Sequence, residues 1–141
     1  MTVSLRVKQM LKNNDLRHTA CREEILHLFL ENSYALTHGD IETRLDASHD
    51  RVTIYRTLKT FLEKNMIHKV LDDSGNLKYA MEKHNHHNKH THIHFKCSLC
   101  GETNCLEDTQ IPAIHLPEGY QLSQANLLVQ GVCKICNQSV N

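Results

Sequence analysis

The chain has 141 residues, enough for one ordinary domain or two small ones, and its 40% hydrophobic and 23% charged content is that of a soluble globular protein. Sixteen basic side chains balance sixteen acidic ones, which excludes a polycation that holds nucleic acid by bulk charge, so any DNA contact must come from a local basic face. No apolar run reaches the length of a membrane span, and the start Met1-Thr-Val-Ser-Leu-Arg6 lacks the apolar centre of a secretory signal, which predicts a reducing cytoplasm where thiols bind metal.

In chain order, Ser4 is placed to cap a short helix with Leu5, Met10 and Leu11 on one side, ended by Asn13-Asn14-Asp15. Thr19 caps a second helix, with Glu23 and Glu24 near its positive end and Ile25, Leu26, Leu28, Phe29 and Leu30 as an apolar stripe. Cys21 at its start reads as a small packed residue. Thr37-His-Gly-Asp40 has the capping-box pattern and leads through Ile41 and Leu45 to a break at Asp46-Ala-Ser48, where Ser48 is expected to cap the longest helix, His49 to Asn65.

A short helix, a tight turn and a longer helix form a helix-turn-helix pattern. At about 100° per residue, Ile54, Leu58, Phe61 and Leu62 share one sector, which leaves Arg51, Val52, Thr53, Tyr55, Arg56, Lys59 and Thr60 outward. Guanidinium, ammonium and hydroxyl groups on one helix face suit phosphates and base edges in a major groove. Two strand-like runs, Ile67 to Leu71 and Leu77 to Met81, flank Asp72-Asp-Ser-Gly75-Asn76 as a hairpin, completing a winged helix over residues 1–82. The wing is expected to turn Lys69 and Lys78 towards the DNA backbone, with Asp72 and Asp73 limiting its approach.

Residues 83–91 are polar, histidine-dense and without apolar periodicity, and mark a hinge. His84, His86, His87 and His90 offer nitrogen donors there, and period-2 alternation puts His92, His94 and Lys96 on one strand face just beyond. Residues 92–141 form the second domain. Cys97-x-x-Cys100 and Cys133-x-x-Cys136 make two thiolate knuckles suited to one tetrahedral Zn²⁺, and the expected compartment favours zinc over disulfides or a redox pair. The 32 residues between the knuckles hold a small module. Thr103 to Leu106 suggests a short strand, Pro112 and Pro117 interrupt any helix around His115, and Gly119 to Gly131 suggests one longer strand. Its apolar content is thin, so metal and a partner subunit are expected to supply stability.

Arg17-His-Thr-Ala-Cys-Arg22, then Asp50-Arg-Val-Thr-Ile-Tyr-Arg-Thr-Leu58, His92-x-His94-x-x-Cys97-x-x-Cys100-Gly101 and Gly131-x-Cys-x-x-Cys136 occur in the order found in bacterial metal-dependent repressors. Over nearly its whole length the chain resembles the ferric uptake regulator (Fur) family. The resemblance implies an α+β chain: a winged helix with Tyr55 and Arg56 towards operator DNA, a hinge, and a zinc-stabilised α/β homodimerisation domain with structural zinc on the four knuckle cysteines. It also implies a regulatory metal that sets the angle between domains, as in family members sensing iron, zinc, manganese, nickel or peroxide. Three positions depart from the pattern. Ala35 stands where a regulatory His often precedes the helix that starts at Thr37, with His38 three residues later. Ala80 replaces an acid at the end of the wing, and Cys105 replaces the acid five residues after the second knuckle cysteine.

A sensor site rebuilt from His92, His94 and Cys105, with one hinge histidine, favours Zn²⁺ over Fe²⁺ because thiolate and imidazole suit the softer ion, and it gives peroxide a sulfur to oxidise. An enzyme is not expected: four thiolates close a zinc site, and neither His-x-Glu nor His-Glu-x-x-His is present to build an open one. A metal-buffering or interaction module would use the histidines but leave the outward helix face without a role.

Overall fold

The structure is a computed structural model that describes residues 2–45, 47–82, 91–106, 112–123 and 125–139, apart from the side chains of Thr91, His92 and Ser139. The chain divides into two compact units, Met1–Glu82 and Lys83–Asn141.

In the first unit, helix α1 (Val3–Asn13) is capped by Thr2, whose hydroxyl accepts the Leu5 N–H at 3.3 Å. The expected cap, Ser4, lies inside the helix and donates its hydroxyl to Glu23 Oε1 on α2 instead. Helix α2 (Ala20–Glu31) starts at Thr19 as the sequence predicts, with the Arg22 N–H on the Thr19 hydroxyl at 3.2 Å. Strand β1 (Leu36–Thr37) runs into α3 (His38–Arg44), and both arms of the capping box form: Asp40 N–H to the Thr37 hydroxyl and Thr37 N–H to the Asp40 carboxylate, each 3.0 Å.

Helix α4 (Arg51–Glu63) starts two residues later than expected, because Asp50, not Ser48, accepts the Thr53 N–H, at 2.7 Å. A carboxylate outdoes a hydroxyl at the positive end of a helix. Strands β2 (Ile67–Leu71) and β3 (Leu77–Met81) pair antiparallel from Ile67 opposite Met81 to Leu71 opposite Leu77, and the sheet order is β1-β3-β2. The core lies beneath the helices: Val7 and Leu11 of α1, Ile25, Leu26 and Phe29 of α2, Ile41 of α3, and Ile54, Leu58 and Phe61 of α4 are all buried. Each helix contributes one apolar stripe, and together they bury it away from water, the main force holding this unit.

The second unit is a three-stranded sheet of order β5-β4-β6 followed by a short helix. Strand β4 (Thr91–Cys97) pairs antiparallel with β5 (Thr103–Cys105) and parallel with β6 (Ala125–Gly131), and α5 (Lys134–Ser139) follows. The strand expected from Gly119 begins only at Ala125, because all seven residues of β4 are already matched by Ala125 to Gly131. Among the described residues of this unit few side chains are buried: Ile93, His94, Cys97 and Thr103. Leu127, Val129, Val132 and Ile135 stay exposed, the last at 74%. Among the described residues no helix is long and apolar enough to cross a membrane. The architecture is α+β, a winged helix-turn-helix unit and a small α/β unit carrying a four-cysteine cluster.

Candidate metal centres and nucleic-acid interface

The four knuckle cysteines meet as the spacing predicts. Cys97, at the end of β4, opens a turn in which Gly101 takes φ 78°, a conformation that costs other residues strain, and the Gly101 N–H returns to the Cys97 carbonyl at 2.9 Å. Cys133 and Cys136 flank the start of α5. The four Sγ atoms lie within 4.8 Å of one another, and Cys100 and Cys133 are 4.0 Å apart. Tetrahedral bonds of about 2.3 Å to one Zn²⁺ require sulfur separations near 3.8 Å, so the cluster needs only slight closure.

Backbone N–H groups already point at the sulfurs: Cys100 N–H lies 3.5 Å and Cys133 N–H 3.4 Å from Cys97 Sγ, and Cys136 N–H lies 3.5 Å from Cys133 Sγ. The Cys100 N–H, with that of Cys133, pulls the Cys97 thiol down to about 6, while the neighbouring Cys133 thiol and then burial push Cys136 up to about 12. Four thiolates so close repel one another, and a dication bonded to all of them supplies the compensating charge. The donor set therefore fits a closed structural zinc site.

A second donor pair faces across β4 and β5. His94 and Cys105 are directly opposite in the register, with a ring nitrogen and Sγ within 4.8 Å of each other. His94 is buried and Cys105 half-buried. Of the other sequence candidates, the His92 backbone lies in β4 opposite Asn126, and its side chain is outside the described residues, as are His84, His86, His87 and His90.

His68, which the sequence reading passed over, stands at the hinge-side end of the wing. It lies directly opposite Ala80 in the β2–β3 register, and its Nδ1 is 2.9 Å from Glu82 Oε2. The signal was available in the hairpin: a cross-strand neighbour shares the face of the position where the expected acid is missing. His38 instead keeps within its helix, Nδ1 3.6 Å from Glu42, and Glu42 Oε2 also lies 3.7 Å from Arg51 Nε.

The outward face of α4 is as the periodicity predicts. Ile54, Leu58 and Phe61 are buried and Leu62 partly so, while Arg51, Thr53, Tyr55, Arg56 and Lys59 are exposed and Thr60 is half-buried. Thr57 departs from the simple split: it is buried and donates to the Thr53 carbonyl at 2.8 Å. An open groove of about 520 Å³ runs between α4 and the wing, lined by His38, Arg51, Val52, Tyr55, Leu77 and Tyr79. One expectation for the wing changes. Lys78 turns back to Asp72, Nζ to Oδ2 2.7 Å, and Asp72 also accepts the Ser74 N–H and hydroxyl, so both charges serve the hairpin itself. Lys69 remains exposed.

Comparison with known proteins agrees with this architecture. The ferric uptake regulator family model matches residues 13–129. The ferric uptake regulation protein of Staphylococcus aureus is 31% identical over 132 residues, covering 91% of this chain and 93% of that one. Among solved structures, a zinc uptake regulator complexed with zinc and DNA superposes with TM-score 0.69 at 21% identity, covering 99% of this chain and 98% of its own. The Helicobacter pylori ferric uptake regulator gives 0.57 at 19%, covering 96% and 91%. A family match spanning both units, together with an ordered pair of cysteine knuckles and an exposed basic helix face, has one consequence: the chain belongs to the ferric uptake regulator family of metal-responsive, DNA-binding transcription regulators, which are not enzymes.

Proposed function

We propose that the chain is a cytoplasmic, homodimeric repressor that binds operator DNA when zinc is abundant. The observation that carries the metal assignment is the His94 and Cys105 pair, a buried imidazole and a half-buried thiol facing each other where the family pattern calls for an acid. Sulfur with nitrogen selects Zn²⁺ over the harder Fe²⁺ site that a carboxylate would make. His92 and one of His84, His86, His87 or His90 are candidates for the remaining positions. His68 is a further one, because its imidazole shares the wing face of Ala80 and so restores a donor from the first unit.

Ligands drawn from both sides of the hinge make the metal favour one arrangement of the units, and that differential affinity is what shifts the population towards the DNA-competent state. Cys97, Cys100, Cys133 and Cys136 hold the structural zinc. Arg51, Thr53, Tyr55, Arg56, Lys59 and Thr60 form the reading face on α4. The exposed Leu127 and Val129 of β6, with Val132 and Ile135 beyond it, support burial against a second copy, since the second unit has too small a core to stand alone.

The test is duplex affinity measured across a metal series after chelation of the second ion, with the four-cysteine zinc retained. Zinc should restore binding at lower free concentration than iron or manganese, and His94→Ala or Cys105→Ser should abolish that response. Equal affinity with and without the second metal ends the proposal. Iron is the alternative, favoured by the Staphylococcus relatives named for ferric uptake, and an iron-selective response in the same series would establish it.

A further inference from the structure

Helix α4 is held to the rest of the winged unit mainly by apolar packing of Ile54, Leu58 and Phe61, which is strong but not directional. Polar contacts add direction: Arg51 Nε at the start of the helix lies 3.7 Å from Glu42 of α3, and two further contacts reach α2. Midway along the helix, the Thr57 hydroxyl meets Cys21 Sγ of α2 at 3.6 Å. At its start, His49 Nε2 lies 2.7 Å from Glu24 Oε2, also on α2, and the His49 side chain is only 12% exposed. A carboxylate only accepts, so the imidazole N–H is the donor. His49 immediately precedes Asp50, which caps α4 through the Thr53 N–H. A side chain anchored to α2 and a backbone that opens α4 are therefore one residue apart. The first turn and a half beyond that cap carries Arg51, Thr53, Tyr55 and Arg56.

We propose that His49 is a positioning residue for DNA reading: clamped to Glu24, it fixes the first turn of α4 against α2 and thereby sets where those side chains meet base edges. The inference rests on the reading of α4 as the DNA-contacting helix. Base readout is sensitive to small displacements because hydrogen-bonding groups must match base edges individually, whereas phosphate attraction tolerates them. Loss of the clamp therefore reduces discrimination between sequences more than it reduces binding to arbitrary DNA.

The experiment uses the full-length, metal-loaded protein and a duplex that the wild type enriches from a random library, beside a scrambled duplex of the same length. His49→Ala and Glu24→Ala should each weaken binding to the enriched duplex by about fivefold to tenfold, a range suited to a partly exposed charge-assisted hydrogen bond, and leave scrambled-duplex affinity within about twofold. The double variant should be no weaker than either single one, because both remove the same contact. His49→Gln, whose amide nitrogen stands close to the place of Nε2, should recover most of the loss. Thermal melts run in parallel check that each variant is folded at the assay temperature. Unchanged discrimination in folded His49→Ala overturns the proposal, as do losses that multiply in the double variant. A wild type that enriches no duplex overturns the DNA-binding reading itself, and this inference with it.

Discussion

The backbone N–H of Cys133 donates to Cys97 Sγ at 3.4 Å across 36 residues of chain, so the second knuckle is aimed at the first by main-chain geometry as well as by its thiols. Sulfur at position 97 thus accepts that N–H while standing within the four-cysteine cluster. Removing one thiolate from such a set leaves three ligands and an open position, and structural zinc sites hold their ion far less tightly that way. Cys133→Ser should lower the zinc content by one ion per chain. The exposed apolar face of β6 should then lose its support, and the proposed dimer should dissociate on size-exclusion chromatography with light scattering. Retained zinc in the purified variant would refute the four-thiolate assignment.

Gly131, the last residue of β6, has little room for a side chain unless the Phe95 ring gives way. A Cβ there would meet Phe95 Cζ at 3.2 Å and Cε2 at 3.4 Å. Gly131 pairs with Cys97 in the β4–β6 register, and its carbonyl accepts both the N–H and the hydroxyl of Ser98, at 2.7 and 3.0 Å. Displacing Phe95 therefore pulls on the backbone that carries Cys97. Gly131→Ala should destabilise the zinc-loaded second unit by about 1 to 3 kcal/mol, the usual cost of overpacking, and should speed zinc release to a competing chelator. An unchanged melting temperature would mean the Phe95 ring swings aside freely.

The winged unit was largely legible because its signals are local. Thr19 and Thr37 cap where capping chemistry predicts, and the two strand-like runs pair across the Gly75 turn over the expected residues. The errors also have a physical origin. Ser4 and Ser48 each had a competitor two residues away, and the choice went to Thr2 and Asp50 once Ser4 found Glu23 of α2 and Asp50 reached Thr53. Partners remote in sequence leave no local trace: Lys78 looks free until Asp72 folds back to it, and His49 looks like a turn residue until Glu24, 25 positions earlier, is placed beside it. In the second unit the knuckles were plain from spacing, but strand β6 starts at Ala125, opposite Thr91, because the length of a ladder is set by its partner. His68 was missed for a similar reason, since only the register puts it opposite Ala80.

Arg56 is exposed in the second turn of α4, beside Tyr55, which is 57% exposed over the groove between helix and wing. A guanidinium that reads a base through paired hydrogen bonds contributes discrimination, while one that meets a phosphate contributes only salt-dependent attraction. Arg56→Ala should cost about 1 to 3 kcal/mol on the preferred duplex if it reads a base, with relaxed specificity at one position. Competition binding against single-site duplex variants distinguishes the two roles, and unchanged affinity would make Arg56 bystander surface.

Acid should loosen the winged unit through two carboxylates. The side-chain hydrogen bond from Thr53, followed by its backbone N–H, holds Asp50 below its ordinary 3.8, and the hydrogen bond from His18 is the first cause holding Glu23 below 4.5. A group whose folded pKa lies below its unfolded one binds fewer protons in the native state. It adds stability above the ordinary value and loses it as pH falls through the depressed one. Asp50 is exposed and Glu23 half-buried at the surface, so each effect is small and screened by salt. Between about pH 5 and about pH 3, the urea midpoint of the winged unit should fall with a slope that Asp50→Asn and Glu23→Gln each reduce. Asn at position 50 still accepts the Thr53 N–H, so this variant removes the titration while keeping the cap. If the double variant shows the same acid slope as the wild type, neither carboxylate carries the dependence.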